Sequence, residues 1–215
     1  MEYQPLKYIF QPSSRAGAHT LLLLHGTGGD ERDLLPLAKQ FDSEVHVLSV
    51  RGNVSEQGMP RFFRRLAMGV FDEIDVHFRT HELVHFLRDL AIKEDFDENK
   101  VVALGFSTGA NIAGSLLMLY PELLAGAILF RPMQPLTDLR DGFQTSRQQP
   151  IFFSTGQSDP MVAPAANTKY VKLLTSNGYR VTRVDVAAGH NLTQEDVTRA
   201  VEWYQSNFAP AGNNS

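Results

Sequence analysis

A chain of 215 residues with 43% apolar and 20% charged residues has the length and balance of one globular domain, and neither disorder nor a fibrous repeat fits it. Its 20 basic and 24 acidic residues leave a formal charge of -4, which offers no broad attraction to nucleic acid or to an anionic membrane. The absence of cysteine removes disulfides, thiolate metal ligands and a cysteine nucleophile.

Met1 to Pro5 shows no basic segment followed by an apolar one, and the longest aliphatic run, Leu21 to Leu24, is far too short to span a bilayer, so a cytoplasmic protein is expected. Thr20 to Leu24 and Val45 to Val50 read as apolar strands, with a helix from Arg32 to Phe41 between them. A long helical pattern runs from Asp75 to Phe96. Strand Lys100 to Phe106, helix Ser107 to Leu119 and strand Ala125 to Phe130 follow. Pro150 to Ser154 reads as a strand, Ala165 to Asn177 as a helix closed by Gly178, Arg180 to Val186 as a strand and Gln194 to Phe208 as the last helix. Unbroken apolar strands joined by crossover helices predict an α/β fold: a mostly parallel, doubly wound sheet with helices on both faces, in a single domain over residues 1–208. Residues 209–215 read as a frayed tail.

Two stretches break the alternation: Arg51 to Ile74, and Arg131 to Gln149 with its three arginines. Both follow strand ends, where ligands sit in open parallel sheets, so they read as irregular loops and candidate pocket walls.

The most informative stretch is Val101 to Ala110, where an apolar strand runs into Gly105-Phe106-Ser107-Thr108-Gly109 and then a helix. Glycines at both ends of such a turn leave room for strand and helix to crowd together, and the strained turn lifts the Ser107 hydroxyl above the end of the sheet. A serine hydroxyl needs a base and a group that orients it. In strand-turn-helix hydrolases the order is Ser, then Asp or Glu, then His. His19, His25, His46, His77, His81 and His85 all precede Ser107, leaving His190. Of Glu122, Asp138, Asp141, Asp159 and Asp185, Asp159 follows a strand end and is the expected orienting acid. Asp185 reads as a solvent-facing strand residue, and Glu122 as the opening of a strand. For the oxyanion, the glycine-rich loop His25 to Asp30 suggests the backbone amides of Thr27 and Thr108 as donors. His25 reads as a buttress of that loop.

With these residues in place the chain resembles the carboxylesterase and phospholipase branch of the α/β-hydrolase family, which includes acyl-protein thioesterases. The likeness rests on Leu24-His25-Gly26, Gly105 to Gly109, Gly156-Gln157-Ser158-Asp159-Pro160 with Val162 and Pro164, and Gly189-His190. Arg51 to Arg65 is similar, more narrowly, to small bacterial carboxylesterases linked to methylhydroquinone resistance. The resemblance implies a compact esterase of small-molecule esters with little or no lid, no cofactor and a homodimeric state. A thioesterase or lysophospholipase of the same fold is the alternative. Met59, Phe62, Phe63, Phe71 and Met161 are candidates for lining an acyl or aromatic pocket, against packing beneath a loop. Arg61, Arg64 and Arg65 offer guanidinium to an acidic substrate group, against internal pairing with Asp72, Glu73 and Asp75.

One rival pattern comes from a different class. His81-Glu82-Leu83-Val84-His85 matches the H-E-x-x-H of zinc peptidases. Arg88 and Ala91 stand where the extended form needs glycine and histidine, and Glu94 and Glu98 are too close to serve as the distant ligand. His77, His81 and His85 instead recur as one helical stripe. A non-catalytic relative of the hydrolases is a third reading, weakened by the complete Ser, Asp, His set.

Overall fold

The computed structural model describes residues 2–139 and 142–208; the expected tail at 209–215 and Asp141 lie outside the described residues. In chain order the elements are β1 (Tyr8–Gln11), β2 (Thr20–Leu24), α1 (Leu35–Ala38), β3 (His46–Val50), β4 (Val54–Glu56), β5 (Met59–Arg61), β6 (Arg65–Ala67), β7 (Val70–Phe71) and α2 (Glu73–Glu94). They continue with β8 (Val101–Phe106), α3 (Thr108–Leu119), β9 (Gly126–Phe130), β10 (Pro150–Gly156), α4 (Pro164–Ser176), β11 (Arg180–Val186) and α5 (Gln194–Phe208).

A seven-stranded sheet has the order β1-β3-β2-β8-β9-β10-β11. Only β1 is antiparallel to its neighbour. Side chains alternate across each strand, so the apolar runs feed two cores. Leu22, Leu24, Ala103, Leu129 and Phe153 pack with Leu83, Leu87, Ile112, Leu116 and Tyr170 from α2, α3 and α4. Leu21, Leu23, Leu104, Ile128 and Phe152 pack on the other face with Leu37, Val197, Trp203 and Tyr204 from α1 and α5. The chain leaves β2 toward β3 on one side and leaves β8 toward β9 on the other. A crevice opens between two adjacent strands whose exits diverge, so this reversal places the site at their carboxyl ends.

Several elements differ from the sequence expectation. The helix expected over Arg32 to Phe41 contracts to α1, in the middle of that segment, because Asp30 Oδ1 accepts the Arg32 amide at 2.7 Å in a side-chain turn and Pro36, which has no amide to donate, sits in the first helical turn. Arg51 to Ile74 is not irregular. It forms two hairpins, β4-β5 turning through Gln57 and Gly58 at φ 52° and 81°, and β6-β7 turning through Gly69 at φ 72°. The edge strand β1, half-buried and only four residues long, carries too short a pattern to stand out. Glu122 sits in a turn rather than opening a strand. The α2 helix starts two residues early because the Asp72 carboxylate caps the Asp75 amide at 3.2 Å, and it ends at Asp95, whose φ of 55° departs from the helix.

Candidate active site

Strand β8 ends in a turn that places Ser107 at φ 53° and ψ −115°, a strained conformation for a residue with a side chain. Its amide donates to the Phe130 carbonyl at 2.9 Å, so the turn is tied to β9. The glycines on either side have a steric cause. A Cβ on Gly105 would lie 2.4 Å from the Gly109 backbone, and one on Gly109 would lie 1.9 Å from the Leu24 carbonyl oxygen.

The Ser107 hydroxyl does not cap its own helix; it lies 2.9 Å from His190 Nε2. On the other side of the ring, His190 Nδ1 is 2.8 Å from Asp159 Oδ2. A carboxylate only accepts, so Nδ1 carries the proton and Nε2 faces the hydroxyl with its lone pair. Asp159 Oδ1 accepts the Met161 amide at 2.8 Å, and the Asp159 side chain is 2% exposed. The loops carrying Asp159 and His190 are themselves joined, the Ser158 amide donating to the Ala188 carbonyl at 3.0 Å. Gly156 makes room for this: a Cβ there would stand 2.2 Å from the Gly189 carbonyl oxygen. Of the other carboxylates weighed, Asp185 is exposed and engaged by Arg183 and Thr155, and Glu122 by Thr145 and Ser146. Asp138 belongs to the stretch of backbone that Glu73 anchors.

Thr27 and Thr108 stand side by side, their hydroxyls 2.7 Å apart. Among the described residues neither amide donates to a backbone carbonyl. The Thr27 loop is held from three directions. The Gly28 amide donates to the Pro60 carbonyl at 2.9 Å and the Gly29 amide to the Gly26 carbonyl at 3.1 Å. Buried His25 donates from Nδ1 to the Gly26 carbonyl at 2.6 Å and accepts the Gly52 amide on Nε2 at 3.1 Å. Burial holds the His25 imidazole below its ordinary pKa, in keeping with this neutral double role.

Each of the three arginines has an acidic partner within the chain, and Arg64 is exposed. Arg61 is buried and pairs with Glu56 at 3.2 Å, Arg65 pairs with the same carboxylate at 2.7 Å, and Arg64 reaches Asp72 at 3.0 Å. Glu73 instead anchors the Thr137 and Asp138 amides. Phe62 and Phe63 point into the core and Phe71 packs edge-on against Phe63. Met59 and Met161 are exposed, Met59 beside Gly28 and Met161 two residues beyond Asp159. In the H-E-x-x-H stretch each side chain has a different partner: Glu82 takes the Arg79 guanidinium at 2.8 Å, His81 meets the Tyr120 hydroxyl at 2.6 Å and His85 pairs with Asp89 at 3.0 Å. No group of three histidine or acidic side chains among the described residues is placed to hold a metal ion.

Arg131, grouped by sequence with the loop after β9, is instead fully buried and paired with Asp196 at 2.7 Å. Its one sequence signal is a charged residue set directly after an unbroken apolar strand.

A family model described as phospholipase/carboxylesterase matches residues 7–207. The chain belongs to the phospholipase/carboxylesterase family. The putative hydrolase MhqD of Bacillus subtilis (strain 168) is 41% identical over 200 residues, spanning 93% of this chain and 98% of that protein. The Bacillus cereus carboxylesterase superposes with a TM-score of 0.91 at 47% identity, over 94% of this chain and 95% of that one. The structure of YahD with malic acid matches at TM-score 0.88 and 29% identity, over 94% and 100%. The fold is thus of the α/β-hydrolase type, and the phospholipase/carboxylesterase assignment makes the chain a hydrolase of carboxylesterase kind. No helix among the described residues is long and apolar enough to cross a membrane.

Proposed function

We propose that this family member is a serine carboxylesterase that hydrolyses small carboxylic esters through an acyl-enzyme intermediate on Ser107. The observation that carries the reading is the His190 ring set between the Ser107 hydroxyl at 2.9 Å and the Asp159 carboxylate at 2.8 Å. Ser107 Oγ attacks the ester carbonyl carbon while His190 Nε2 removes its proton. The tetrahedral oxyanion is met by the Thr27 and Thr108 amides. Collapse breaks the bond to the alkoxide, which leaves with the proton from His190. Water, deprotonated by the same nitrogen, then releases the acid and restores the serine. Asp159 stays ionised, holding the ring's orientation and balancing the transient imidazolium.

Exposed Met59, beside Gly28 of the Thr27 loop, and exposed Met161, two residues beyond Asp159, favour a substrate with an apolar part. Arg61 and Arg65 are both engaged by Glu56, which disfavours their gripping an anionic substrate, whereas Arg64 is exposed beside Asp72. The reading includes one domain over residues 1–208, working as a cytoplasmic homodimer.

The test is hydrolysis of nitrophenyl esters of graded acyl length, repeated after treatment with an organophosphate and with a chelator. Turnover lost to the organophosphate and to Ser107→Ala, but indifferent to the chelator, is expected. Activity that survives Ser107→Ala and disappears with the chelator would replace this reading by metal chemistry.

A further inference from the structure

Arg131 is the first residue after β9, and it bends away at φ 53°. Its amide still donates to the Ser154 carbonyl at 2.9 Å, which anchors it to the sheet at the end of the β9-β10 ladder. From there the buried side chain reaches the loop that holds His190. Nη1 contacts Asp196 Oδ1 at 2.7 Å and the Ser154 hydroxyl at 3.0 Å, and Nη2 contacts Asp196 Oδ2 at 2.9 Å. The remaining donors fall on two carbonyls: Nε on Gly189 at 2.9 Å and Nη2 on Asn191 at 3.0 Å. Those are the residues immediately before and after His190.

Asp196, in the first turn of α5, also accepts the Thr193 amide at 2.9 Å and hydroxyl at 2.7 Å, and the Ser154 hydroxyl. Burial alone would raise its carboxyl, but the bonds from Arg131, Ser154 and Thr193 hold it below the usual range, so the pair is ionised. A buried ion pair is a weak source of stability, since well-packed apolar side chains of similar volume do as well. What an apolar pair cannot do is grip two backbone carbonyls that no strand or helix engages.

We infer that Arg131, aimed by Asp196, is a positioning residue that locks the backbone on both sides of His190 and so sets the imidazole between Ser107 and Asp159. This rests on the reading of those three residues as the catalytic machinery. The planar guanidinium is required because it presents donors along a fixed edge. A lysine ammonium satisfies Asp196 as a point charge and leaves the Gly189 and Asn191 carbonyls ungripped. Misplacement by about 1 Å in such a site costs on the order of a hundredfold in rate.

The experiment compares Arg131→Lys, Asp196→Asn, and the apolar pair Arg131→Met with Asp196→Leu, against wild type and Ser107→Ala. For each, kcat and KM on a nitrophenyl ester, the rate of organophosphate labelling and thermal unfolding are measured. Folded variants are expected to lose roughly 10–100-fold in kcat with KM changed by less than about twofold, and labelling should slow in parallel. Assayed well below its own unfolding midpoint, the apolar pair should share the kcat loss and the slowed labelling while fully folded, a split that a purely structural role would not produce. Folded variants with kcat within about twofold of wild type overturn the inference. So does failure of every variant to fold, since the pair would then hold the fold together rather than aim His190. Persistent turnover in Ser107→Ala would instead strike the esterase reading itself, whatever the Arg131 variants do.

Discussion

The hydroxyls of Thr27 and Thr108 lie 2.7 Å apart, and this contact fastens the loop leaving β2 to the first turn of α3. The amides of these residues are the proposed oxyanion donors, and the bond between their side chains restrains the spacing of those amides. Oxyanion stabilisation depends on donors fixed in advance at that spacing. Thr108→Val, which keeps the shape and deletes the hydroxyl, is therefore expected to lower kcat by about 3–10-fold, or roughly 0.7–1.4 kcal/mol. Thr27→Val should do the same, and the double variant should be no worse than either alone, because both delete one bond. Strictly additive losses in steady-state kinetics would show that the hydroxyls act separately.

Gly109→Ala should destabilise the fold. The added methyl would stand 1.9 Å from the Leu24 carbonyl oxygen and 2.7 Å from that of His25, and both obstacles are backbone. Overpacking of this kind costs about 1–3 kcal/mol, which for a chain of this size lowers the thermal midpoint by about 2–4 °C per kcal/mol. A calorimetric midpoint equal to wild type would mean that α3 can slide off β2 freely.

Asp159→Asn tests the orienting role. The amide retains the shape of the carboxylate but also presents a donor, which favours the ring tautomer with Nε2 protonated and unable to take the serine proton. A loss in kcat on the order of 10⁴ with little change in KM is expected, as in serine triads generally. If the variant kept a tenth of wild-type kcat, another group would have to be orienting His190.

Acidification should weaken the fold through its neutral histidines. Burial lowers the pKa of His19, His25, His46 and His81, whereas the unfolded chain protonates them near the ordinary value of about 6.5. The unfolded state therefore binds more protons as pH falls below that value. Stability, full above it, is lost progressively down to the lowered folded values. Urea midpoints should drop between pH 7.5 and pH 5.5, and less steeply in His25→Gln, which removes one titrating group. A midpoint that is flat across this interval contradicts the assignment.

The alternation of strands and helices was legible because strands buried on both faces must be apolar throughout, as in Leu21 to Leu24 and Val101 to Leu104. The nucleophile turn was legible because Gly105 and Gly109 answer a local steric demand. Other features had no local signature. The hairpins at Gln57-Gly58 and Met68-Gly69 turn on single glycines within an arginine-rich stretch. Phe62 and Phe63 look the same in sequence whether they line a pocket or fill the core, and the core takes them. Glu56 is the partner of both Arg61 and Arg65, and sequence spacing does not single it out from the acids at the start of α2.

Fold class, family and a short set of residues able to do acyl chemistry are written locally in the chain, because apolar period, turn sterics and residue chemistry act over a few positions. Which of them meet depends on long-range packing. Ser107, Asp159 and His190 converge through the order and register of parallel strands distant in sequence. Arg131 finds Asp196 across 65 residues because β9, β10 and the start of α5 end at one rim. Such distances follow from packing of the whole sheet, which no local pattern records.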